Sequence, residues 1–138
     1  MLTDGAGVPL GVAAAGANEH DKWLVGETLR SQPVAGPEPT PAAPQHLCGD
    51  KGYDYADVRE VVELWGDTAH IKARGEEAKE KAEIPGYRAR RRVVERTHSW
   101  MNRFRRLLIR WERKSANYVG FLHLACAWIT YRAAALLG

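Results

Sequence analysis

Tyr87 to Lys114 reads YRARRRVVERTHSWMNRFRRLLIRWERK, and the chain is organised around this stretch. Val93, Thr97, Trp100, Phe104, Leu107 and Trp111 recur at steps of four, three, four, three and four. Those steps lay one apolar stripe along an α-helix. From Arg88 to Lys114 there are ten Arg and one Lys against Glu95 and Glu112, a local charge of +9. The whole chain carries +3, so the remainder carries −6. Glu95 lies two positions past the start of the stripe, about 200° round the helix from Val93. A carboxylate off the core face, surrounded by arginines, is the first pointer to chemistry.

The bulk numbers frame that stretch. The 138 residues suit one domain, 1–138, with a real core. Charged residues at 27% and apolar ones at 45% are ordinary for a soluble globular chain. The sequence pI is near 9.0, and its basic excess sits in one helix, as a polyanion-binding face requires. The plainer reading is a solvated charged surface. Cys48 and Cys126 form no CxxC and no Cys/His set with zinc spacing, so two thiols in a reducing compartment are expected. MLTDGAGVPLG lacks the basic and apolar regions of a signal peptide. A cytoplasmic location is expected.

Met1 to Ala17 reads as two short strands around the turn Asp4-Gly5-Ala6-Gly7, with Pro9 placing the second at an edge. His20 to Ser31 is a short helix that Asn18 can cap. Residues 32–45 hold five of the seven prolines and read as a Pro-rich surface loop. In HLCGDKG, Leu47 and Cys48 look like the end of a buried strand and Asp50 falls just past it. Strand ends of this kind collect ligand and catalytic groups, and equally Asp50 can cap the next turn. Tyr55 to Leu64 is a helix that Gly66 ends, and His70 to Ala73 is a strand candidate. Arg74 to Glu83 is a charged loop or loose helix, and Pro85-Gly86 punctuates the chain before the basic helix. Ala116 to Leu137 is apolar almost all round, long enough to raise a membrane span, but His123 and Arg132 interrupt it. A helix buried against the sheet or the basic helix is expected, with His123 in the core and no membrane partner. The order of elements gives an α/β domain with a mixed sheet and flanking helices.

Asp50 and Glu95 lie 45 positions apart. Brought together, two such carboxylates suit Mg²⁺, which takes hard oxygen ligands and substrate phosphate. Two ions about 4 Å apart clamp the attacking and leaving oxygens of a phosphodiester displacement. Arginines beside them would hold the phosphate backbone without choosing sequence.

The run Asp50-Lys51-Gly52-Tyr53-Asp54, followed by Arg91-Arg92-Val93-Val94-Glu95-Arg96-Thr97, Trp100, Asn102 to Leu107 and Trp111-Glu112-Arg113, resembles the C-terminal part of a DDE transposase. It is similar to bacterial insertion-sequence enzymes of the insertion sequence four and five group. The opening LTDGAGVPLGVAAAGANEHD resembles that family's second and third strands, so the likeness covers essentially the whole chain. It implies a ribonuclease-H-like fold and an Asp-Asp-Glu triad that uses Mg²⁺ or Mn²⁺ in a two-ion site. It also implies double-stranded DNA partners, the transposon ends and the target. By position, Asp50 matches the second aspartate and Glu95 the glutamate. Arg91 matches the basic member of the family's Tyr-Arg-Glu-Lys signature. Arg92, Arg96, Arg103, Arg105 and Arg106 are expected beside it on DNA. Two positions depart from the signature: Tyr87 is eight before Glu95 instead of seven, and Asn102 replaces a base, with Arg103 adjacent.

The family's first aspartate lies upstream of a sequence like Met1-Leu2-Thr3-Asp4, and Asp4 aligns with a turn. The chain is therefore expected to lack the first strand and the first metal ligand. It would work with an upstream half of the transposase, in a homo-oligomer, or survive as a truncated copy. Two functional readings follow: a catalytic-domain fragment in DNA transposition, or a non-catalytic DNA-binding remnant or regulator.

Overall fold

The computed structural model describes residues 1–71 and 92–135, with Arg92 described by its backbone alone. Leu2–Thr3 (β1) and Pro9–Gly11 (β2) pair antiparallel. The turn between them is fastened by Asp4, whose Oδ1 accepts from the Ala6 N–H at 2.9 Å and the Val8 N–H at 2.8 Å. This is the local bonding that makes aspartate a turn residue, and it gives Asp4 a structural task in the hairpin. Gly7 has φ +88°, where a side chain is strained, and an added Cβ would lie 3.1 Å from Thr97 Oγ1 and 3.4 Å from Val93 O. The basic helix therefore seats directly on the turn.

Asp21–Leu24 forms a 3₁₀ turn leading into Val25–Arg30 (α1). The cap is His20, whose Nδ1 accepts from the Lys22 N–H at 3.3 Å, and not Asn18. Residues 32–45 form an exposed loop with one isolated bridge, Thr40 to Ala43. His46–Gly49 (β3) then runs parallel to Thr68–Ile71 (β4), joined through Ala56–Leu64 (α2). Gly66 stops α2 with φ +89°. The two-residue alternation of strands turns Leu47, Gly49, Ala69 and Ile71 towards α2 and leaves His46, Cys48, Thr68 and His70 exposed. Cys48 is thus on the open face of the sheet, contrary to the expected buried strand end, because no element covers that face among the described residues. Val58, Val62 and Ile71 form the first core, with Val25, Leu47, Tyr53 and Ala69 against it. Residues 74–83, Pro85-Gly86 and the start of the basic stretch, Arg91 included, lie outside the described residues.

The basic stretch is not one helix. Arg92–Met101 (α3) ends in a turn, Arg105–Leu108 (α4) follows, and Ser115–Ala135 is α5. Asn102, a weak helix former that readily ends helices, sits at the first break, and Phe104 is extended with φ −88° and ψ 99°. Even so, Trp100, Phe104 and Leu107 reach the second core, built on Met101, Ala125 and Ile129. Trp111 leaves the stripe and is 72% exposed, because the chain is no longer helical there.

α5 buries one stripe, with Leu122 and Cys126 beside Ala125 and Ile129. The opposite stripe, Leu124, Trp128 and Tyr131, is exposed, as is His123. α5 thus packs against the hairpin and the basic helices as expected, but His123 is exposed and not in the core, because α3 and α4 cover only one side of α5. No described helix is long and apolar enough to cross a membrane. The described architecture is mixed α/β, with two separate two-stranded sheets, one antiparallel and one parallel.

Thr97 is fully buried and its Oγ1 donates to Gly7 O at 2.6 Å. Thr97→Val keeps the shape but strands that carbonyl. We expect it to lower unfolding free energy by about 1–3 kcal/mol in urea titrations, with Thr97→Ser losing less.

Candidate catalytic and nucleic-acid-binding site

Asp50 follows the last residue of β3 and starts the 3₁₀ turn Lys51–Tyr53. Its Oδ1 accepts from the Gly52 N–H at 3.3 Å, a long cap bond. The carboxylate is exposed. Asp50 therefore stands where the sequence placed it, just past a carboxyl end of a parallel strand, and it also caps a turn.

The loop that carries Asp50 is well anchored. Gly49 lets β3 lie close to β4, since a Cβ there would approach Ile71 Cγ1 to 3.0 Å. Tyr53 packs on the first core, and its burial raises the phenol above its ordinary pKa. Arg59 on α2 donates from Nη2 to Asp54 Oδ1 and to Ile71 O, both at 2.6 Å. One guanidinium thus ties the end of the Asp50 loop to the end of β4. Sequence reading missed this clamp; the pair Asp54 and Arg59, five apart across a helix start, was its only trace.

Glu95 lies in the first turn of α3, where a carboxylate also favours the helix dipole. It is exposed, two residues from fully buried Thr97. No hydrogen bond or ion pair holds it among the described residues. Arg96 donates from Nη1 to Ala6 O at 3.3 Å, so it also braces the hairpin turn. Arg103 and Arg105 are exposed. Arg106 bonds Glu112 Oε1 at 2.7 Å and lies 5.2 Å from the Phe121 ring centre.

α3 makes its main contacts with β1 and α5, while β3 lies against β4. Asp50 and Glu95 accordingly sit on different packing units. Among the described residues no group of three or more His, Cys, Asp or Glu side chains is assembled to hold a metal ion. As a donor set the two carboxylates still fit a hard divalent cation: both are exposed, and neither is neutralised by an ion pair among the described residues.

A family model described as transposase DDE domain matches residues 47–132. The chain is 34% identical over 140 residues to a Burkholderia cepacia protein assigned as the transposase for insertion sequence element IS402. That alignment takes in 97% of this chain and 64% of the relative, so the chain spans just under two thirds of the relative's length. No solved structure matches the chain at a significant level.

Structural and chemical acids should separate in stability measurements. Arg59→Met is expected to lower unfolding free energy by about 1–2 kcal/mol, the partial exposure of the Asp54 pair limiting the loss. Asp50→Asn should change it by less than about 0.5 kcal/mol, since Asn caps as well as Asp. Urea midpoints of the two variants check this.

Proposed function

Because the chain belongs to the DDE transposase family, we propose that it is a catalytic-domain segment that acts in DNA transposition. It would bind transposon-end and target DNA in the cytoplasm and contribute two carboxylates to strand cleavage and transfer. The observation that carries this reading is the placement of Glu95. On one short helix, Thr97 is fully buried while Glu95 is exposed beside arginines. An exposed carboxylate with no hydrogen bond or ion pair among the described residues is accessible to a ligand, which supports this reading.

In this reading Asp50 and Glu95 hold a divalent cation, Mg²⁺ or Mn²⁺, in what is a two-ion site in the complete enzyme. When bound, the metal supplies positive charge to the attacking and leaving oxygens of the phosphodiester. The chain's own groups orient the DNA. Arg91, Arg92, Arg96, Arg103, Arg105 and Arg106 would face phosphates, giving affinity without sequence choice. The Arg59 clamp and the Tyr53 anchor keep the Asp50 loop fixed against β4, which limits the carboxylate's freedom before substrate arrives. The two small sheets fit the same reading as parts of one ribonuclease-H-like sheet. A homo-oligomer is compatible with this scheme.

The alternative reading is a non-catalytic DNA binder or regulator. The two readings part on cleavage. In a transposase containing this chain together with its upstream portion, Glu95→Gln and Asp50→Asn should each slow Mg²⁺-dependent nicking of transposon-end DNA. The expected loss is roughly a hundredfold or more, the scale of losing one preorganised charge-stabilising group. Nicking that survives Glu95→Gln at full rate removes Glu95 from the site.

The binding surface has its own check. For the 138-residue chain, log affinity for duplex DNA should fall linearly with log salt. Arg103→Gln with Arg105→Gln should reduce the slope by about two, equally for unrelated sequences.

A further inference from the structure

Trp111 is the most exposed of the tryptophans whose side chains stand out as exposed, at 72%, against 66% for Trp23 and 53% for Trp128. Its neighbour Glu112 does the opposite: only 5% of that side chain is exposed, and it pairs with Arg106 at 2.7 Å. Glu112 is also the sole acid after Glu95 in the sequence. Arg110 donates from Nε to Glu112 O at 3.2 Å and lies 5.6 Å from the Tyr118 ring centre. Glu112 thus ties the segment to Arg106 on α4, Arg106 and Arg110 lie over the Phe121 and Tyr118 rings of α5, and the indole of Trp111 stays exposed. With the single acid neutralised by Arg106, the surrounding field is set by Arg105, Arg110, Arg113 and Lys114.

We propose that residues 105–114 form a contact for single-stranded DNA, in which Trp111 stacks on an unpaired base and Arg113 and Lys114 hold the flanking phosphates. The charge selects a polyanion. An exposed indole face amid that charge adds something a phosphate grip does not use. Stacking needs a base whose face is free, which a duplex interior does not offer and a single strand or frayed end does. The inference rests on the DNA-binding reading of the chain and adds to it a strand preference carried by a residue other than Asp50 and Glu95.

Anisotropy titrations of the full chain with a labelled single-stranded oligonucleotide and with its duplex, at matched salt, test it. Trp111→Ala is expected to weaken single-strand binding at least about fivefold, the lower end for one stacked base. Duplex affinity should stay within about twofold, and the salt slope should not change, because no phosphate contact is lost. Trp111→Phe should recover most of the single-strand affinity. Trp111→Gln serves as a second truncation should the alanine variant melt early. Equal weakening on both DNAs, or on neither, overturns the proposal. So does a wild-type dimer that becomes monomeric on Trp111 truncation with DNA binding intact, which would make the indole a contact between copies. A wild-type chain that binds neither DNA fails the DNA reading itself, whereas unchanged nicking in Glu95→Gln fails only the catalytic one.

Discussion

The hydrogen bond from Thr97 to the Gly7 carbonyl is the contact on which the relation of hairpin to basic helix depends. Ninety residues separate its partners, and the acceptor belongs to a turn whose glycine leaves no room for a Cβ beneath the helix. A buried hydroxyl and a buried carbonyl satisfy each other there, and either alone would carry a desolvation cost. Because the bond fixes α3 in rotation as well as in distance, it decides which side chains of that helix face water. Thr97 is on the turn, Met101 in the second core, and Glu95 is outside. The exposure of the candidate catalytic acid is therefore a consequence of packing on the far side of its helix.

The rest of the described molecule repeats this pattern of small anchors in place of one large core. Val58, Val62 and Ile71 hold the parallel pair; Met101, Ala125 and Ile129 hold the helices. Two-stranded sheets are marginal alone, so each is stabilised by a helix: α2 under β3 and β4, α3 over the hairpin. Lys22 on the 3₁₀ turn before α1 bonds Asp57 on α2 at 3.0 Å, which holds the Asp57 carboxyl below the usual carboxylate range. That pair is exposed enough that its contribution to stability is small.

Much of this was legible in the sequence where a signal had one physical meaning. Asp4-Gly5-Ala6-Gly7 made a hairpin because aspartate and glycine do specific things in turns. Val58, Val61 and Val62 with a following Gly66 made a helix that stops. Asp50 just past a strand was readable from composition change alone. What failed did so where a pattern continued through a break in geometry. Trp111 keeps helical spacing with Leu107, but the backbone turns at Asn102 and again at Ile109, and spacing carries no information once the helix has ended. His123 and Cys48 look like core residues by their neighbours. Each is exposed because, among the described residues, the element it sits on is covered on one face only, which depends on the number of layers and not on the local sequence.

The same one-sidedness sets how far the site could be read. Asp50 and Glu95 were identifiable as acids in suggestive settings, but their mutual placement depends on how two packing units meet, and no local rule encodes that. The clamp by Arg59 shows what such rules miss: a single guanidinium joins a turn acid to a strand-end carbonyl twelve residues away. Glu112 is a second instance. By sequence it is a lone acid in a basic run; in the fold it is nearly buried, and one of its oxygens, Oε2, has no hydrogen-bond partner among the described residues. A half-satisfied buried carboxylate costs free energy. Part of that cost is offset by the bond from Arg106 and by fixing the extended segment against α5. Of the two acids in the basic stretch, then, one is held inside by structure and the other is held outside by it. Charge pattern alone makes the two equivalent; burial separates them, and it is the exposed one that remains available for chemistry.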